Sequence, residues 1–172
     1  YGGGCHMIPN HAVIILALLY GENDFGKSLM IANTCGWDTD CNSGNVGCLM
    51  GIKNGLDAIQ SGADFRGPVA DRLFLPSADG GRCISDAVRE AYSVINIARD
   101  LRGLEPITPD GGARFHFGMP GAMQGFISED GPETTGCARL ENRPLTDYTP
   151  EAPDDSRVLA IHFDGCAPGR AA

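Results

Sequence analysis

The sequence predicts a mainly α-helical chain that ends in a β-rich segment. Two observations lead to this reading. Up to about Leu104, apolar residues recur at helical spacing and are punctuated by cap and stop residues. After a linker of Pro106, Pro109, Gly111 and Gly112, short stretches alternate instead, as strands do.

The elements follow in order. Pro9 to Tyr20 is apolar almost all round and opens on a proline suited to a first turn, which predicts a fully buried helix. Gly21-Glu22-Asn23-Asp24 predicts a turn. Asp24 caps a second expected helix, Phe25 to about Asn33, with Leu29, Met30 and Ala32 inward. A third helix is expected from about Asn42 to Asn54. Gly44, Gly47, Gly51 and Gly55 share one of its faces, at spacings of three and four. Each interior glycine costs about 1 kcal/mol against alanine, so the stripe implies close approach of a helix or a ligand. Residues 64–79 read as a long loop. A fourth helix carries Ile84, Val88, Ala91, Ile95, Ala98 and Leu101 as its stripe, with Ser85 as cap and Gly103 as stop. Arg114 to Phe117 and Val158 to Phe163 read as strands. The expected boundary lies near residue 108, giving a helical part at 1–107 and a β-rich, sandwich-like module at 108–172. Two or three strands build no independent core, so that module is expected to be incomplete.

The 172 residues carry a formal net charge of -9. No Lys/Arg cluster is present to displace counterions, which argues against a nucleic-acid groove and against an anionic membrane surface. The longest aliphatic run, Ala12 to Leu19, is too short to span a bilayer. The seven cysteines form no Cys-x-x-Cys pair, and the odd count fits a reduced, cytoplasmic protein better than a disulfide framework. The chain opens at Tyr1 on a glycine run and closes on Gly165 to Ala172 without helix or strand signals. Both ends are expected to be cuts through a longer protein.

The stretch Gly36-Trp37-Asp38-Thr39-Asp40-Cys41-Asn42 holds the strongest chemical signal. In an extended segment Asp38 and Asp40 point to one side, and two such carboxylates suit Mg²⁺ or Mn²⁺. The other reading is that Asp40 or Asn42 only caps the third helix. A calcium loop fits poorly, because the glycine falls one place late at Gly44 and the twelfth position is Leu49 rather than glutamate. Cys41 directly follows the second carboxylate and can touch the same cation. Gly3 and Gly4 can cradle a phosphate or form a plain turn. His6 can contact substrate or cap a helix; the neighbouring Asn10 shares that ambiguity. Trp37 can stack on a base or ribose, or pack in a core.

Gly36-x-Asp38-Thr39-Asp40-x-Asn42, followed by Gly47-x-x-x-Gly51 and Gly55, resembles the C-terminal signature of the ADP-ribosylglycohydrolases. So does His6-x-Ile8-Pro9-Asn10-His11-Ala12 with Asp24-Phe25. The resemblance covers roughly residues 1–104. It implies the C-terminal part of an all-α domain with a dinuclear Mg²⁺ or Mn²⁺ centre. It also implies cleavage of the glycosidic bond of ADP-ribose on a protein side chain or a small ADP-ribosyl substrate. Asp38 and Asp40 become catalytic metal ligands, and Cys41 stands where the family has a ligating threonine. A thiol is a softer, poorer partner for Mg²⁺. The family's second ligand set, a Thr/Ser-Asp-Asp motif, does not precede Asp38. The chain alone is therefore expected to be nearly inactive, and a non-catalytic ADP-ribose- or nucleotide-binding module is the alternative.

Overall fold

The computed structural model describes residues 5–76, 82–128 and 138–164. The chain divides into two compact units, Tyr1–Phe65 and Arg66–Ala172.

The first unit is three helices: α1 (Met7–Tyr20), α2 (Phe25–Thr34) and α3 (Thr39–Gln60). α2 packs along α3, and α1 packs against both. His6 begins α1 by accepting the Ile8 N–H on Nδ1 at 3.3 Å. Pro9 falls in the first turn, where its missing N–H leaves nothing unsatisfied. Glu22 and Asn23 turn the chain with φ of 54° and 63°. Asp24 then caps α2 through the Lys27 N–H.

The core is Val13, Ala17, Phe25, Ala32, Val46 and Met50, with Leu29 and Trp37 partly buried against it. Burying a side chain the size of Val46 or Met50 contributes roughly 1.5–3 kcal/mol. α1 is not the fully buried helix expected from its composition. Only Val13 and Ala17 are buried, while Met7, Leu19 and Tyr20 lie open. Met30, expected inward, is also exposed.

α3 begins three residues earlier than expected, because Asp38 rather than Asn42 breaks the helical backbone. Its glycine stripe is not one close-packed seam. A Cβ on Gly47 would meet Leu29 and Phe25 of α2 at ordinary contact distance, whereas one on Gly44 would meet nothing. Gly55 is needed for its backbone: φ is +77°, and the helix kinks there before resuming to Gln60.

The second unit holds two small antiparallel sheets and one long helix among its described residues. β1 (Arg72–Phe74) pairs with β2 (Ile84–Asp86), and α4 (Ala87–Asp100) follows directly. Asp86, not the expected Ser85, caps α4 by accepting the Arg89 N–H at 2.9 Å. Ser85 instead donates to Glu90. Val88 is buried, but the rest of the stripe is not, and Leu101 is 83% exposed. Gly103, φ +66°, lies just past the helix end.

β3 (Ala138–Pro144) pairs with β4 (Arg157–Phe163) from Ala138 opposite Phe163 to Pro144 opposite Arg157. β4 matches the alternation seen in the sequence. The expected strand at Arg114 to Phe117 is irregular backbone instead, with Phe117 at φ +53°. Buried polar side chains hold these loops. Asp71 accepts from the Arg66 guanidinium at 2.7 and 3.0 Å and from the Met123 N–H at 3.0 Å.

α4, placed by sequence on the helical side of residue 108, belongs to the second compact unit. Its ties are local: Asp86 accepts from Arg114 at 2.5 Å, Asn96 exchanges hydrogen bonds with the Ile107 backbone, and Tyr92 meets His116 edge to face. Among the described residues, no helix is long and apolar enough to cross a membrane.

Candidate functional site

The site forms at the start of α3. Gly36, at φ +74°, reverses the chain, and Asp38 follows at φ 38°, ψ 55°. Left-handed backbone costs an L-residue roughly 1–2 kcal/mol, and aspartate is among the few side chains that visit it singly. Its carbonyl accepts the Asn42 N–H at 2.9 Å and so starts the helix. Its carboxylate makes no capping bond and is left for other partners.

Asp40 lies in the first turn of α3, where backbone N–H groups and the helix dipole favour negative charge. The two carboxylates therefore do not converge as an extended pair, as the sequence spacing suggested. A left-handed residue followed by a helical turn brings them together. Oxygens of Asp38 and Asp40 and the Cys41 sulfur all lie within 4.8 Å of one another. Asp38 is half-buried; Asp40 and Cys41 are exposed.

The Cys41 thiol is pushed above its ordinary range. Its hydrogen bond to Asp38 is the largest cause, followed by the charges of Asp38 and Asp40. At neutral pH it is thus an S–H donor to a carboxylate rather than a thiolate.

Behind the carboxylates lies an amide chain. Asn42, 2% exposed, donates Nδ2 to the Trp37 carbonyl at 2.7 Å and to Asn10 Oδ1 at 3.3 Å. Asn10 donates its own Nδ2 to Asp38 Oδ2 at 3.4 Å. The buried place of Asn42 had a sequence signal: Asn42, Val46 and Met50 recur every four residues along the inner face of α3.

The remaining expected site residues are placed less uniformly. Trp37 packs partly buried against the helical core. His6 caps α1, with its side chain exposed. Gly3 and Gly4 lie outside the described residues.

A helical unit with two converging carboxylates at one helix start is a framework suited to a hard cation. The family defined as ADP-ribosylglycohydrolase matches residues 1–100, more than half of the 172-residue chain. The chain belongs to the ADP-ribosylglycohydrolase family. No curated protein and no solved structure matches it.

Proposed function

We propose that this chain carries part of the cation site of a hydrolase that releases ADP-ribose from a protein side chain or a related acceptor. The observation that carries the reading is the convergence of Asp38, Asp40 and Cys41 at the start of α3, inside the family match. The donor set fits a hard cation in two of its three members. Carboxylate oxygens suit Mg²⁺ or Mn²⁺, whereas a thiol held protonated by Asp38 does not. Asp38 and Asp40 would hold the metal, and two ions are proposed for a complete site. When bound, such cations supply Lewis-acid chemistry at a glycosidic bond.

The chain's own residues do the positioning. The left-handed backbone of Asp38 leaves its carboxylate without a capping bond and beside Asp40 and Cys41. The N-terminus of α3 supports the charge of Asp40. Trp37 and His6, with Gly3 and Gly4, are the proposed substrate contacts. No Thr/Ser-Asp-Asp motif precedes Asp38 in this chain, so it is proposed to bind cations weakly and to turn over little substrate by itself. The helical part, 1–107, is proposed to carry the activity in a cytoplasmic protein, with 108–172 as an accessory β-rich module.

One observation favours a second reading. Cys41 in the third donor position, neutral and bonded to Asp38, suits a module that binds ADP-ribose without cleaving it. Calorimetry with ADP-ribose, with and without Mg²⁺, separates the two. Binding that needs Mg²⁺ and is lost in Asp38→Asn and Asp40→Asn supports the hydrolase site. Binding indifferent to Mg²⁺ and to both substitutions favours the module. No binding in either condition rejects both.

A further inference from the structure

We propose that Asn10 is a positioning residue for Asp38, set in its working orientation by Asn42. The inference rests on reading Asp38 as a cation ligand. Its own basis is the direction of three hydrogen bonds. A carboxamide has a donating end and an accepting end, and Asn42 fixes which end of Asn10 faces which way. Buried Asn42 donates to both the Trp37 carbonyl and Asn10 Oδ1. The oxygen of Asn10 is thereby turned toward α3, and its Nδ2 is turned to Asp38 Oδ2.

This arrangement answers a problem created by the backbone. Asp38 sits left-handed, without the capping bond that usually locks an aspartate at a helix start. Apart from the exposed Cys41 thiol, the amide of Asn10 is what its carboxylate is bonded to. Asn10 comes from the first turn of α1, so the carboxylate is held between two helices rather than by its own loop. An N–H on one oxygen still leaves lone pairs of the carboxylate for a cation. Partners of this kind, one bond removed from a metal, typically change affinity by 10–100-fold when lost.

The test uses all 172 residues of this chain and Mn²⁺ alone as probe. Amide NMR records paramagnetic broadening around residues 38–42 as Mn²⁺ is added. Wild type and Asp38→Asn come first; equal broadening in both would reject Asp38 as a ligand, and with it the reading beneath this proposal. Given loss in Asp38→Asn, Asn10→Ala is expected to weaken Mn²⁺ binding by roughly tenfold or more. Wild-type affinity in a folded Asn10→Ala would overturn the proposal while leaving the Asp38 assignment intact. A second measurement covers an Asn10→Ala chain that does not fold. The Asn10 side-chain amide protons should shift between wild type and Asp38→Asn; unmoved resonances would also overturn it.

Discussion

Gly21 stands so close to Ser28 that a Cβ on the glycine would lie 1.9 Å from the serine hydroxyl and 2.6 Å from the Ala17 carbonyl. Here the end of α1 and the first turn of α2 touch backbone to side chain. Gly21 has an ordinary right-handed backbone, so space and not conformation demands the glycine. Gly21→Ala is therefore expected to destabilise the chain by roughly 1–3 kcal/mol, as overpacking does. Ser28 is fully buried, and its hydroxyl has no hydrogen-bond partner. Ser28→Ala alone should thus be neutral or stabilising. The double variant should recover only part of the Gly21→Ala loss, since the Ala17 carbonyl stays in the way. Thermal unfolding of all four chains closes the cycle; full recovery in the double variant would show that the carbonyl contact is relieved by backbone shift.

The helices were legible because their signals are local. Asp24, Pro9 and Gly103 mark ends by mechanisms that act within one turn. The start of α3 was misplaced because a left-handed aspartate is invisible to periodicity. β1 and β2 were missed because three residues each give no alternation to read. β3 was hidden by its Arg, Glu and Asn side chains. Residues 114–117 alternate like a strand, yet Gln124 replaces the partner strand: its Oε1 accepts the N–H groups of His116 and Phe117 at 2.9 and 2.8 Å. The carboxylate pair was legible as chemistry, while the amides that hold it depend on how α1 and α3 pack.

Glu90 predicts an acid sensitivity in the second unit. Its pKa is lowered, first by the Ser85 hydroxyl that donates at 2.6 Å and then by the hydrogen bond from Arg82. A folded pKa below the unfolded value stabilises fully above the unfolded carboxylate range. That stability fades as pH falls through the lowered folded value. Wild type should lose stability between about pH 5 and more acid values, and Glu90→Gln should show a shallower acid limb. The change is expected to be small, because solvent screens a partly exposed carboxylate. Melting temperature against pH for the two chains measures it, and parallel curves would remove Glu90 as a cause.

Asn142 of β3 joins more of the second unit than its size suggests. Nδ2 donates to the Phe117 and Ala122 carbonyls at 2.8 and 3.2 Å. Oδ1 accepts from the Gly121 N–H at 3.1 Å and from Arg157 Nε at 2.6 Å. Both ends of the amide are thereby in use. Asn142→Ala is expected to cost roughly 2–4 kcal/mol, because it leaves several shielded groups unpaired at once. Asn142→Asp keeps the accepting side and the Arg157 contact but turns an oxygen toward two carbonyls. It should be destabilised too, and most strongly at neutral pH, where that oxygen carries charge. Denaturant unfolding at two pH values separates the effects. Equal stability of Asn142→Asp and wild type would mean that the donated bonds contribute little.

Cys41 offers a gain-of-function test. Its thiol donates to Asp38 and is held protonated above the usual thiol range. In that state it occupies a lone pair of the carboxylate without offering a hard donor in return. Any stability from the bond is present below the unfolded thiol pKa and is lost as pH rises through the raised folded value. Alkylation of Cys41 by iodoacetamide at mildly alkaline pH should therefore be slower than at exposed Cys48, and Asp38→Asn should speed it. Peptide mass spectrometry reads both rates. Cys41→Thr replaces the soft sulfur with an oxygen at the same helical position. It is expected to tighten Mn²⁺ or Mg²⁺ binding severalfold, because hydroxyl oxygen matches these cations better than a neutral thiol. Unchanged affinity in Cys41→Thr would place the third position outside the coordination sphere and leave Asp38 and Asp40 as the chain's share of the site.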